Sequence, residues 1–345
     1  MIPKKVLITG GGGFIGSNAA EHYLRKGTEV IIIDNLSRKG SDTNLKWLKT
    51  TGSNFKFQNI DIRDHKRLGE FFKKHSDIDT ILHFAGQVAV TSSLVDPRYD
   101  FETNALGTFN ILEGMRNYCA DAVLLYASTN KVYGSLEQLQ IKEGKDNYQL
   151  IKYKKGITET FALDFHSPYG CSKGAADSYI KDYSRVYNLK GIVFRQSCIY
   201  GEHQLGIEDQ GWIAHFIIRA ILNRPITIYG DGKQVRDVLY IKDLLEAYDK
   251  AIEKSNKIGG DVFNVGGGVQ NQISILQFIH FLEDELDKKF DIKFKDVRAG
   301  DQKIFISNNG KIKNSLGWSP QTKWKIGVRK LIKWVKENQE LFENF

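Results

Sequence analysis

Residues 9–16 read Thr9-Gly10-Gly11-Gly12-Gly13-Phe14-Ile15-Gly16. A short apolar run at 5–9 precedes them and an amphipathic pattern at 15–26 follows, so the glycines join a predicted strand to a predicted helix. Gly10, Gly13 and Gly16 let the backbone turn tightly and approach a pyrophosphate, which sits on the helix start at Phe14 and Ile15. The next apolar run, 29–34, ends in Asp34, 18 residues after Gly16. A carboxylate there accepts both ribose hydroxyls and repels a 2′-phosphate, which points to NAD as the cofactor. Arg38 and Lys39 are the residues that argue for NADP.

Outward from this turn the rhythm of strand and helix continues. Further strand-like runs lie at 55–61, 80–85, 122–128 and 191–195, with helical patterns at 101–118 and from Pro168 onward. Apolar strands joined by helical crossovers predict an α/β protein with a Rossmann-type, doubly wound parallel sheet. Past residue 195 the rhythm breaks, and 196–235 reads as loops and a small cap. Residues 235–253 and 261–265 read as one more helix and strand of the main sheet. Ser274 and Gln277 form a capping-box signature before an apolar face of Ile275, Phe278, Ile279, Leu282 and Leu286. The expected organisation is a cofactor domain (1–195 plus 236–268) and a smaller, C-terminal substrate-binding domain (196–235 plus 269–345).

Composition excludes several classes. With 345 residues, 41% hydrophobic and 12% aromatic, the chain has ample material for a core, which rules out wholesale disorder. The net charge of +8 is spread along the sequence and gives no reason to expect nucleic acid as a partner. The densest basic stretch, 323–336, interleaves Ile326, Val328, Leu331, Ile332 and Val335 and reads as a terminal amphipathic helix. Cys119, Cys171 and Cys198 have neither disulfide-framework nor zinc-ligand spacing, so no metal is expected. No run approaches the length of a membrane span and no signal peptide is read, so a cytoplasmic protein without membrane contact is expected.

The chemistry gathers later in the chain. In Tyr169-Gly-Cys-Ser-Lys173, with Ser167 as cap and Pro168 in the first turn, Tyr169 and Lys173 share one helical face. A phenol is a poor base at neutral pH; a nearby ammonium and a positive nicotinamide favour its phenolate. Ser128 and Thr129 end the fifth strand, where a hydroxyl meets the reacting sugar oxygen. Asp61 and Ile62 are expected at the adenine edge, and Ala85, Gly86 and Gln87 beneath the cofactor. His83 is read as structural.

The segments 34–40, 83–89, 128–134 and 165–177, with 209–212 and 232–238, resemble the extended short-chain dehydrogenase/reductase family of nucleotide-sugar enzymes over nearly the whole chain. The match narrows to epimerases acting at carbon 2 of a CDP-linked 3,6-dideoxyhexose of lipopolysaccharide O-antigen. The resemblance implies Thr129, Tyr169 and Lys173 as catalytic residues and tightly bound NAD contacted also by Asn35 and Ser128. It implies that Arg236 and Arg298 grip the diphosphate, that Trp212 covers the base, and that Asn130 faces the sugar. It implies a homo-oligomer, dimer or tetramer, formed through helices at 101–118 and 169–187. Asn130-Lys131 stands where the 4,6-dehydratases carry an Asp-Glu pair, and Val88 where UDP-galactose 4-epimerases carry a Lys. A UDP-hexose 4-epimerase and a non-catalytic NAD sensor remain the alternatives.

Overall fold

The run Lys-Val-Leu-Ile-Thr becomes strand β1 (Lys5–Thr9), buried along its length, and a seven-stranded sheet extends from it on both sides. A computed structural model describes residues 2–52, 54–298 and 300–343, leaving the chain-end bounds of the expected domains outside the described residues. The next strands are β2 (Glu29–Ile33), β3 (Lys56–Gln58), β4 (Thr80–His83) and β5 (Val123–Thr129). Across the sheet the order is Val262–Val265, Lys190–Gln196, β5, β4, β1, β2, β3, with every neighbour parallel. The chain runs one way from β1 through β2 to β3 and the other way from β4 onward. The crevice opens between the carboxyl ends of β1 and β4, the switch point where such sheets bind ligands.

Alternate residues supply two cores. Leu7, Ile31, Ile81 and Leu124 pack against Phe71, Phe72, Ile111 and Leu112 on one face. Val6, Ile32, Leu125 and Phe194 belong to a second cluster that continues without a break into Phe278, Trp318 and Val335. That continuity fuses the C-terminal part of the chain to the sheet.

Three stretches differ from the expectations. The run at 55–61 contracts to Lys56–Gln58, because its side chains are exposed or half-buried at the sheet edge. Residues 196–235 are more ordered than a loop-rich cap, holding strand Cys198–Tyr200, helix Trp212–Ile221 and strand Ile226–Tyr229. Residues 235–253 are not one helix: Val235–Tyr240 is a strand, buried throughout, and the helix begins at Ile241. The strand pairs with Gln272–Ser274, Ile304–Phe305 and Cys198–Tyr200 rather than with the main sheet. A strand buried on both faces lacks the period-two alternation that would have revealed it.

The capping box at Ser274 and Gln277 is formed, and Phe278, Ile279 and Leu282 are buried behind it. The terminal helix Trp324–Glu337 buries Val328, Leu331, Ile332 and Val335, while Ile326 points outward. The helical run at 101–118 is three pieces: Pro97–Phe101, a π-helical turn at Glu102–Leu106, and Gly107–Tyr118.

Helix Gly107–Tyr118 lies so close to its neighbour that a Cβ at Gly114 would sit 2.1 Å from Cδ2 of the fully buried Phe72. Gly114→Ala is expected to cost about 1–3 kcal/mol by overpacking, read as a lowered urea midpoint with the far-UV spectrum of the folded protein retained.

Candidate active site

The glycine turn is shaped by close backbone approach. Gly10 has φ +69°, and a Cβ there would lie 2.6 Å from the Ala85 nitrogen at the end of β4. At Gly16 a Cβ would lie 2.2 Å from the Gly10 carbonyl oxygen. The Gly13 N–H donates to that same carbonyl at 3.0 Å. Helix Phe14–Arg25 starts at Gly13 without a side-chain cap, so the first-turn N–H groups of Phe14, Ile15 and Gly16 are free to meet an anion in the crevice.

Asp34 ends β2 with its carboxylate fixed by the N–H groups of Gly12 at 2.9 Å and Leu36 at 2.7 Å. Burial raises its pKa and those two donors oppose the rise. Asn35 donates to Asp61 at 2.9 Å. The Arg63 guanidinium, bonded to Asp61 at 2.8 and 3.0 Å, holds that carboxyl down at about 2. Asp34, Asn35, Asp61, Ile62, Ala85, Gly86 and Ser128 all line one cavity with the glycine turn. Gln87 does not line it; its amide donates to the Ala89 carbonyl at 2.7 Å and accepts the Ala89 N–H. A side-chain-free cradle, free helix N–H groups and a carboxylate at the end of β2 fit a dinucleotide.

Ser167 caps helix Pro168–Tyr187, accepting the Gly170 N–H at 3.1 Å, and the helix carries Tyr169 and Lys173 into the same cavity. Lys173 donates to the Ala127 carbonyl at 3.0 Å and lies 4.9 Å above the Tyr126 ring. A Cβ at Gly86 would come within 3.1 Å of Lys173 Nζ, which explains the glycine. The Thr129 side chain lines the same wall and favours the Tyr169 phenolate. Burial nonetheless pushes that phenol up to about 12, with Thr129 opposing. Burial pushes the Lys173 ammonium down to about 8. Within the protein's own groups desolvation therefore dominates the phenol, and the group that opposes it is Thr129 rather than the expected Lys173.

The facing wall belongs to the second half of the chain. Arg236 donates to Asp301 at 2.6 Å, and Lys131 approaches the same oxygen at 3.4 Å. Asn130 donates to Gln302 at 3.4 Å. Arg298 pairs with Asp209 at 3.3 Å and lies 3.8 Å above the Tyr229 ring. Trp212 lines the cavity and packs edge-on against Phe216 and Phe278, so it serves core and site together. Sequence reasoning missed Asp301 and Tyr229. Asp301 had no motif of its own, and Tyr229 fell within the stretch read as loops and a small cap.

His83 is fully buried between the hydroxyls of Thr9 at 2.6 Å and Thr108 at 2.9 Å, as the structural reading expected. Burial pushes its pKa down to about 3, so it stays neutral. The unfolded chain takes up this proton near about pH 6.5, the folded one only near pH 3. Stability from His83 is therefore complete above pH 6.5 and drains away as pH falls toward 3. NMR of the His83 ring is expected to show neutral imidazole at pH 5; an imidazolium signal there would contradict the burial.

Residues 7–331 match the family described as GDP-mannose 4,6 dehydratase. A CDP-paratose 2-epimerase of Salmonella typhi is 44% identical over 96% of this chain and 99% of its own length. The structure is similar to UDP-glucose 4-epimerase of Thermotoga maritima with UDP-glucose (TM-score 0.84, 28% identity, 97% and 99% covered). It is also similar to Thermus thermophilus UDP-glucose 4-epimerase complexed with NAD (TM-score 0.82, 29% identity, 97% and 99% covered). With the glycine turn and the Tyr169–Lys173 helix both inside the matched residues, the chain belongs to the GDP-mannose 4,6-dehydratase family of extended short-chain dehydrogenase/reductase enzymes.

Proposed function

We propose that this chain is an NAD-dependent nucleotide-sugar epimerase that inverts carbon 2 of CDP-paratose to give CDP-tyvelose. One observation carries the reading: Thr129, Tyr169 and Lys173 meet at the end of β5 beside the dinucleotide cradle, next to Asn130 and Lys131. The 44% identity to a CDP-paratose 2-epimerase supports the choice of substrate. Val88, also on the cavity wall, gives no lysine of the kind the 4-epimerases carry.

Gly10, Gly13, Phe14, Ile15 and Gly16 would hold the cofactor's pyrophosphate, Asp34 and Asn35 its adenosine ribose, and Asp61 and Ile62 its adenine edge. Ala85, Gly86, Ser128 and Lys173 would lie along its nicotinamide end. When bound, NAD supplies a hydride acceptor and donor, and its positive ring favours the phenolate. Tyr169 takes the proton from the sugar hydroxyl and later returns it, while Thr129 holds the same oxygen. Arg236 and Arg298 exchange their carboxylates for the diphosphate and anchor it while the keto sugar turns over. Trp212 and Asn130 border the base and sugar.

We assign residues 1–195 plus 236–268 to cofactor binding and 196–235 plus 269–345 to the nucleotide sugar. Exposed Phe101, Leu106, Tyr179, Val186 and Tyr187 on the two helical stretches expected at a subunit contact support a homo-oligomer. Among the described residues no helix is long and apolar enough to cross a membrane. Free Cys119, Cys171 and Cys198 suit a reducing cytoplasm.

Denaturing the purified protein is expected to release NAD rather than NADP, because Asp34 fits a diol; mainly NADP would give the selectivity to Arg38 and Lys39. Tyr169→Phe is expected to retain NAD and lose turnover by about 10²–10⁴-fold. Deuterium at carbon 2 of CDP-paratose is expected to remain at carbon 2 of CDP-tyvelose in ordinary water. Loss of label to solvent would replace the redox route with deprotonation. Turnover of UDP-galactose but not CDP-paratose would reassign the enzyme as a 4-epimerase.

A further inference from the structure

Asp100 closes the short helix Pro97–Phe101 and has no exposed surface. Its hydrogen-bond donors are neutral: the Ser172 hydroxyl and the Asn104 side-chain amide, the latter at 3.1 Å. A carboxylate buried among neutral donors is expensive to keep. Ser172 immediately precedes Lys173 on the catalytic helix, and Asn104 also donates to the Ser172 hydroxyl at 3.1 Å. The π-helical turn at Glu102–Leu106 begins two residues after Asp100, and Asn104 within it is buried. Asn104 Oδ1 is buried without a partner and lies against Gly86: a Cβ there would meet Oδ1 at 2.8 Å and Lys173 Nζ at 3.1 Å. The widened turn thus brings one buried acid, one amide and one hydroxyl behind the Tyr169–Lys173 pair. Such π-turns gather at functional sites.

We propose that Asp100 is a positioning residue for proton transfer, fixing Lys173 through Ser172 and Asn104 and biasing the Tyr169–Lys173 pair by its charge. The proposal rests on Tyr169 being the proton acceptor. The other groups facing the pair are the Thr129 hydroxyl and Ala127 carbonyl on β5, the Tyr126 ring beneath Lys173, and neutral His83 on β4. Asp177, one turn further along the helix, is bound to Arg195 at 2.7 Å. Asp100 therefore supplies the negative charge that acts on both members of the pair. It keeps Lys173 an ammonium against its burial, and it holds the proton on Tyr169 until the positive cofactor ring is in place.

Both effects have the same sign, so removing the charge lowers both titrations. In NAD-loaded protein, Tyr169 is read as the tyrosinate absorbance lost on Tyr169→Phe, in the wild-type and Asp100→Asn backgrounds. Asp100→Asn is expected to move the Tyr169 midpoint down by about 0.5–1.5 pH units, the size of one charge several ångström away. The alkaline limb of epimerisation, where Lys173 loses its proton, is expected to move down with it. A Tyr169 midpoint that stays in place or rises overturns the proposal, because a purely structural Asp100 would lower turnover without moving it. If Asp100→Asn does not fold, Asp100→Ser removes the charge while keeping a hydroxyl for Ser172 and Asn104, and is expected to shift the same midpoint downward. An unmoved midpoint there overturns the proposal equally. The absorbance titration needs no sugar, so it reads out even if the substrate assignment fails. Failure of the Tyr169 assignment shows instead as full turnover in Tyr169→Phe.

Discussion

Backbone meets backbone where β1 and β4 part, and the site depends on that contact. Gly10 lies against Ala85, and Gly16 against the carbonyl of Gly10, at distances that leave no room for a Cβ. This closeness lets the first turn of helix Phe14–Arg25 present unshielded N–H groups at the mouth of the crevice. It also sets the level of Gly86, and hence the depth at which Lys173 can lie. A side chain at Gly10 would push the turn away from the end of β4, and one at Gly16 would push the helix off the turn itself.

Much of this was legible in the residues. β1 and the long helix from Pro168 were readable because glycines, Pro168 and Ser167 mark their ends chemically. Val235–Tyr240 was not, since a strand buried on both faces carries no alternation. The π-turn was hidden as well: Glu102–Leu106 has the same apolar spacing as the helix it interrupts. In the site, Asp34, Tyr169 and Lys173 announced themselves through spacing, whereas Gln87 did not reach the cavity because its amide closes a turn onto Ala89. Asp301 was invisible, since its role comes from Lys131 and Arg236, which are distant in sequence and converge on one oxygen.

Electrostatically the two sides of the cavity are unlike. The cofactor side carries Asp34, held by neutral donors, and Asp61, paired with Arg63, while Asp100 lies buried behind it among neutral donors. On the opposite side Arg236 and Arg298 are already paired with Asp301 and Asp209. In the proposed reading, an incoming diphosphate therefore displaces carboxylates from both guanidinium groups. Such an exchange releases less net energy than binding to bare cations, but it discriminates by geometry, because a bidentate anion must match both guanidinium groups.

The apolar cluster that runs from Val6 through Phe194 to Trp318 and Val335 has a further consequence. Two substrate-binding halves joined by a linker could hinge as rigid bodies; two halves sharing one interior cannot part without exposing it. The C-terminal portion is therefore not an excisable module, and truncation before Trp318 would uncover the interior it shares with helices Trp212–Ile221 and Ile241–Ile258. Segment 206–211, bounded by two glycines, borders the cavity above a frame that is a single cooperative unit.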